Sequence, residues 1–483
     1  MPNTPALTAT PFWYHASVTS WSLLLLPGLF LAACSPPRSP AASRASGDWS
    51  FQVSAAPGAR ELSVVADLAP GSGDQLGVEP GAEPFVQDVQ LLTSSGWASL
   101  PPRGASWIAP ACRSGCRLRY RFQLAQAAQA LDDIERASAL HGAVFAPPST
   151  WLLRPTQQPG VGTWRLRVDG DLPFLSGLLL GGAGFEAATD DLEAAPYSAF
   201  GRFSTRTLAF EGGMLELAFL EGTFDRAEQG RIEGWVRRSG EAVGGLYRRF
   251  PVPRALIFVL PSEQEGVGFG RTLGNGGASI LVGVGKPVRE AELRQDWVMP
   301  HELLHLAFPS VPAHQSWIEE GLSTYLEPVA RVRAGQLREE EMWRDFAMSM
   351  PQGQPDEGDR GLDRTPTWGR TYWGGAIFCL LADVEIRRRT SGERSLLDAL
   401  RAINEAGGNV MRRWTLERAL ELGDRATGTT VLKDLHREHG ERPVRVDLEA
   451  LWRSLGVELR GGRVVLEDEA PLAWVRRGIS RQP

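Results

Sequence analysis

The chain has 483 residues, with 51 Lys and Arg against 57 Asp and Glu and a formal net charge of −6. No basic footprint for nucleic acid follows from that balance, so no nucleic-acid partner is expected. Hydrophobic residues at 43% and charged residues at 22% are ordinary for a globular protein, and the length allows two to four domains.

Trp21 to Ala33 is a mostly apolar run, too short to span a bilayer as a stable helix and suited to an export signal. Leu31-Ala32-Ala33-Cys34 looks like a bacterial lipobox, whose cysteine becomes the lipidated first residue of the mature chain. The expectation is a lipoprotein signal peptide over 1–34, lipidation at Cys34 and a Pro/Ser/Ala-rich tether over 35–48. The protein would then be lipid-anchored in the bacterial cell envelope, and Ser35 after the cysteine implies, by resemblance, the outer membrane.

From 49 to 204 short alternating segments, among them Leu62–Ala66, Leu118–Phe122 and Trp164–Val168, predict half-buried strands in a β-sandwich-like N-terminal domain. Leu124–Leu140 reads as helical or irregular. Cys112 and Cys116 are placed for a small-loop disulfide in an oxidising compartment. A two-cysteine zinc knuckle is the weaker reading, for want of nearby partners. Cys379, in an apolar helix, reads as a core thiol.

Thr207–Phe219 predicts strands that lead into a helix from about Asp225, with Ile232, Trp235, Val236, Val243, Leu246 and Tyr247 as its apolar stripe. Ala255–Leu260 reads as a buried strand and Ala278–Val284 as a groove-edge strand. Gly276, Gly277 and Ala278 are the candidate substrate-binding residues, because a glycine-rich strand lets a peptide approach and pair.

His301-Glu302-Leu303-Leu304-His305 spells His-Glu-x-x-His. On a helix the two imidazoles share one face and can hold one zinc ion, while Glu302 is placed to take a proton from a metal-bound water. The bland alternative is two satisfied histidines on a buried helix. Pro300 directly precedes the pattern, so the helix must begin near Trp297 or Val298.

A catalytic zinc needs a third ligand. His314 lies in a proline-broken loop. Glu320 opens a second helix, Trp317–Glu327, followed by Pro328, and the fourteen residues between it and His305 let the chain return antiparallel. Glu319 is the rival, pointing about 100° away. Glu327, two turns further on, is placed to orient a ligating imidazole from outside the ligand set. Residues 333–367, with mixed charge, Pro and Gly, read as a mobile, solvated connection over the groove. Helices are expected from about Gly374 to Leu455, with His436 and His439 at the surface.

The His-Glu-x-x-His pattern followed by Trp317-x-x-Glu320-Gly321 resembles the gluzincin clan, which includes the aminopeptidase N family and the thermolysin-like enzymes. Tyr372-Trp373-Gly374-Gly375-Ala376, the run Leu380–Thr390 with Gly392, and Ser395-Leu396-Leu397-Asp398 are similar to the glycyl aminopeptidase family (family sixty-one metallopeptidases), here without its PDZ domain. The resemblance covers about residues 200–460. It implies His301, His305 and Glu320 as ligands of one zinc ion, Glu302 as general base and Tyr372 as the hydroxyl that stabilises the oxyanion. Gly374 stands where that family has lysine. Aminopeptidase N relatives carry Gly-x-Met-Glu-Asn, whose glutamate holds the substrate amine, and the comparable stretch Gly274–Val282 has no acid. Exo- and endopeptidase action therefore both stay open.

The expected fold is α+β and multidomain. A β-sandwich-like domain covers 49–204, a thermolysin-like zinc-peptidase domain 205–400, and a C-terminal helical region with its tail 401–483. The expected function is zinc-dependent hydrolysis of a peptide or protein substrate by a membrane-anchored enzyme. The alternative is a catalytically idle envelope binding or scaffold lipoprotein on a peptidase fold.

Overall fold

The computed structural model describes residues 48–156, 162–182 and 184–481. The expected signal peptide, the Cys34 lipidation site and the tether up to residue 47 lie outside the described residues.

Among the described residues, eight strands form one N-terminal sheet: β1 (Trp49–Ala55), β2 (Leu62–Leu68), β3 (Val86–Thr93), β4 (Gly96–Ser99), β5 (Cys116–Phe122), β6 (Thr163–Asp169), β7 (Leu180–Gly181) and β8 (Gly184–Ala188). Their order is β7-β8-β6-β1-β2-β5-β3-β4, with β1 and β6 parallel and the other pairs antiparallel. Alternation in the sequence sets the faces. Leu62, Val64, Ala66 and Leu68 are buried, while Ser63, Val65 and Asp67 point outward. Two smaller sheets complete this region. Cys112 and Cys116 are disulfide-bonded at the start of β5. The undecided stretch after β5 divides into a helix, Leu124–Leu131, and a short strand, Ser138–Leu140.

The second sheet contains β9 (Phe203–Phe210), β10 (Gly213–Leu220), β11 (Arg254–Ser262), β12 (Val267–Leu273) and β13 (Ser279–Gly285), in the order β9-β10-β11-β13-β12. β10, β11 and β13 run parallel, and the two edges are antiparallel. The continuous apolar run of β11 follows from burial on both faces. Ile257 and Val259 pack toward the helices, whereas Leu256, Phe258 and Leu260 pack toward Phe145, Tyr197 and Ala199. The crossover from β10 to β11 is helix α1 (Arg226–Tyr247). It is started by a capping box in which Glu228 N donates to Asp225 Oδ1 at 2.8 Å and Asp225 N donates to Glu228 Oε2 at 2.9 Å.

Sheet order corrects one expectation. The strand read as the groove edge is β13, which lies between β11 and β12, so the open edge is β12. Gly276, Gly277 and Ala278 are buried. Gly276 N donates to Met411 O at 3.0 Å and Ala278 N to Gly177 O at 3.0 Å. A Cβ on Gly277 would sit 2.2 Å from the Gly177 carbonyl oxygen. These residues serve close backbone contact inside the fold, and their pairing positions are taken.

Four helices stand around the sheet: α2 (Val298–His305), α3 (Trp317–Arg333), α4 (Glu339–Ser349) and α5 (Gly375–Arg389). Pro328 lies inside α3, which continues to Arg333 instead of stopping before it. Burial of Val329 and Ala330 in the core holds the helix through the lost hydrogen bond. Residues 333–367 are no solvated connection, because α4 buries Met342, Trp343, Phe346 and Ala347. His439 is buried, and His436 Nε2 lies 3.1 Å from Asp363 Oδ2, so neither is the surface residue its charged run suggested. Cys379 is a buried thiol. Among the described residues no helix is long and apolar enough to cross a membrane.

Candidate metal centre

Asp296 fixes where the first site helix begins. Val298 N donates to its Oδ1 at 3.0 Å, while Met299 N at 3.0 Å and Trp235 Nε1 at 3.1 Å donate to Oδ2. This seats Pro300 in the first turn of α2, where a missing N–H costs no intrahelical bond. His301 and His305 then follow one turn apart on the same face.

The chain turns and α3 returns with Glu320 in its first turn. His301 Nε2 lies 3.3 Å from Glu320 Oε2 and 3.2 Å from His305 Nε2, and His305 Nε2 lies 3.5 Å from Glu320 Oε2. Two ligands each about 2.0–2.1 Å from a tetrahedral zinc are about 3.3 Å apart. The triangle of two imidazole nitrogens and one carboxylate oxygen fits one zinc ion in size and in chemistry. Burial alone would raise the pKa of Glu320, but the charges and hydrogen bonds of His305 and His301 hold it well below the carboxylate range. Burial would likewise lower His305, yet the Glu320 carboxylate lifts it to about 9. A metal ion entering here displaces a proton from a site already organised around opposite charges.

Close backbone contact aligns the two remaining helices. A Cβ on Gly321 would fall 2.3 Å from the Gly375 carbonyl carbon, and one on Gly375 would fall 2.3 Å from Trp317 O. Only glycine at both positions lets α3 and α5 touch, which brings Glu320 beside Tyr372. Tyr372 lies on a π-helical turn, Arg370–Gly374, a form frequent at functional sites. The turn is pinned by Arg370, which donates to Gly353 O at 2.5 Å and pairs with Asp359 at 2.8 Å. The Tyr372 ring stacks on His301 with centroids 6.2 Å apart, and its hydroxyl hydrogen-bonds Glu320. Burial first, then the Glu320 and Glu302 charges, push the phenol pKa up.

Glu302 is seated by β12. The Thr272 hydroxyl lies 2.8 Å from Glu302 Oε2 and 2.9 Å from its carbonyl oxygen, with one proton to share between them. A Cβ on Gly270 would meet Glu302 Cγ at 2.6 Å. The sequence reading missed Gly270 and Thr272. Their signal was glycine alternating within a strand-like run, Gly268-Phe269-Gly270-Arg271-Thr272, which gains meaning once β12 is known to lie against α2.

The other candidates fall outside the triangle. Glu319 Oε1 accepts from Val311 N at 2.9 Å and ties down the preceding loop, and burial raises its pKa to about 7. His314 is exposed on the turn Ala313–Gln315. Glu327 does not reach a ligating imidazole. It accepts from Arg331 Nη1 at 2.9 Å, because a guanidinium one turn along the same buried face is nearer.

Burial lifts the Glu327 pKa to about 7, against the pull of Arg331. With the folded value above the unfolded one, its contribution is complete below about pH 4.5 and is lost as pH rises through 7. The Tm of the wild-type protein is therefore expected to fall relative to that of Glu327→Gln between pH 5 and pH 8. A Tm difference independent of pH would contradict this.

No protein-family model matches the chain, and no curated protein matches its sequence. Solved structures do share its fold. An aminopeptidase N family protein from Idiomarina loihiensis superposes with a TM-score of 0.61 at 14% identity, covering 85% of this chain and 79% of that one. A mutant M1 zinc metallopeptidase from Deinococcus radiodurans, bound to a Tyr-Ser-Ala substrate, superposes with a TM-score of 0.50 at 15% identity, covering 83% of this chain and 94% of that one. The fold is mixed α/β and multidomain, like that of these M1 zinc metallopeptidase structures.

Proposed function

We propose that the protein is a zinc-dependent peptidase in which His301, His305 and Glu320 hold one zinc ion. The observation that carries this reading is the nitrogen–nitrogen–oxygen triangle of those residues, with Glu302 beside it. Zinc, when bound, would polarise the scissile carbonyl and acidify a water.

The remaining work falls to the chain. Thr272 occupies Glu302 Oε2, which leaves Oε1 to take the water proton and return it to the leaving amine. Tyr372 keeps its phenolic proton at neutral pH, because its pKa is raised, and so donates to the developing oxyanion. The open edge of β12 offers backbone groups to an extended peptide, which would add as a further strand. Replacing Thr272 by Val keeps the side-chain shape and removes the donor. Loss of a hydrogen bond to a charged group, ~1.5–3 kcal/mol, is expected to lower kcat about ten- to a hundredfold with zinc content unchanged.

Once β12 is the edge, the residue that stands beside Thr272 at the cleft is Arg271, and Val267–Leu273 contains no acid. Arg271 Nε is paired with Glu135 Oε1 at 2.6 Å, so these charges compensate each other and no carboxylate of β12 is present to fix a substrate ammonium. This supports action on peptides with or without a free N-terminus. The resemblance to the glycyl aminopeptidase family, carried by Tyr372–Thr390, is the finer family reading. Envelope anchoring through Cys34 rests on the lipobox-like sequence.

Chelation is expected to abolish cleavage of a peptide, and one equivalent of zinc to restore it. Full activity in metal-free protein would overturn the proposal. N-acetylation of the same peptide is expected to change kcat/KM by less than about tenfold, whereas a dedicated amine acceptor would make the loss about a hundredfold.

A further inference from the structure

At the far ends of several helices the fold builds a second, very different site. The elements are the C-terminus of α1, the C-termini of α3 and α5, the loop Gly392–Ser395, helix α6 (Leu396–Glu405) and the last helix α7 (Ala473–Ser480). They enclose a cavity of about 450 Å³ whose lining holds seven arginines and two carboxylates, Glu393 and Asp398. Asp383 and Asp468 pair with Arg387 and Arg477 from outside the lining, and cations still exceed carboxylates by seven to four.

Three of these arginines are built into the floor. Arg333 donates from Nε to Ile479 O at 2.8 Å and from Nη2 to Gly478 O at 3.0 Å. Arg401 donates from Nε to Leu246 O at 2.7 Å, and Arg387 from Nε to Asp383 Oδ1 at 2.9 Å. Cations at helix C-termini answer the dipole and the unpaired carbonyls there, which accounts for this floor. Each guanidinium presents its donors in a planar fork suited to phosphate oxygens. Burial lowers the pKa of Arg333 and Arg401, with Arg387 beside the first and Arg248 beside the second acting in the same direction against Asp383 and Asp398.

The rim has no such account. Arg248, Arg394 and Arg481 are exposed and make no ion pair with a described residue. Arg248 sits in the left-handed region at φ 62°, at the C-cap of α1. Trp474, 38% exposed, supplies one apolar wall, and its ring packs over Gly392, where a Cβ would meet it at 3.1 Å. A half-open cavity with buried, hydrogen-bonded guanidinium groups below and uncompensated ones above matches a compact anion of several charges. A single carboxylate would leave most of the excess unanswered.

We propose that this cavity binds a ligand carrying two or more phosphate groups, either free or as a lipid headgroup. The site is independent of the peptidase reading and shares no residue with it.

The test uses the full-length, zinc-loaded protein with tripolyphosphate as the free probe and cardiolipin-containing vesicles, whose headgroup carries two phosphates, against phosphatidylcholine vesicles, as the lipid probe. Calorimetry reads the first and sedimentation the second. The expected result is binding of at least one probe, weakened at least about tenfold in the double variant Arg248→Gln with Arg394→Gln. Both side chains are exposed and make no ion pair with a described residue, so the variant's Tm should not fall, and any chelation of zinc by the probe is the same in both proteins. The difference in Trp fluorescence between the protein and Trp474→Phe should also respond to the bound probe. Loss with tripolyphosphate identifies a free ligand, and loss with vesicles alone identifies a headgroup. Binding equal in wild type and double variant, or no binding of either probe, overturns the proposal.

Discussion

Glu302→Gln is expected to leave one zinc ion per chain and to lower kcat for peptide cleavage by on the order of 10²–10⁴. Glutamine keeps the length and shape of the side chain and can still accept from Thr272, so the seat between β12 and α2 survives. The Glu302 carboxylate is no part of the triangle, so metal affinity should not follow it. What the substitution removes is the ability to take a proton near neutral pH. Metal analysis beside steady-state kinetics separates these effects. A kcat within tenfold of wild type would take Glu302 out of the mechanism, and loss of zinc would make it a ligand instead.

The second large effect is expected at Glu320. Glu320→Ala removes one of three donors and the charge that lifts His305, so zinc affinity should fall by more than the ~10–100-fold that changes outside the ligand set cost. Glu319→Ala is the control, one residue away. It should keep zinc and instead lower Tm, because Val311 N loses its acceptor, at about 1–3 kcal/mol if that donor stays buried. Competition with a chromogenic chelator reads the first change and thermal unfolding the second. Zinc loss in Glu319→Ala with retention in Glu320→Ala would reverse the assignment.

Several features were legible from residue order alone. The spacing of His301 and His305 brings them to one face through helix geometry, and no distant residue is needed for that. The helix starting at about Asp225 and the buried strand over Ala255–Leu260 were read from local pattern and are α1 and β11. Pro300 bounded the start of α2 to within a residue. Each of these is set within one turn or one strand.

The tertiary structure decided everything that depended on which element lies beside which. Strand order put β12 at the edge and buried Gly276, Gly277 and Ala278, although the local sequence of β13 reads equally well in either place. It brought Thr272 and Gly270 against Glu302, from an element far back in the chain and invisible to any local pattern. It paired Glu327 with Arg331, carried α3 through Pro328 and sank α4 into the core. The physical reason is range. Dihedral preference and side-chain periodicity act over a few residues, while partners far apart in the chain are chosen by burial and by hydrogen bonds that exist only after the sheets and helices have closed on one another.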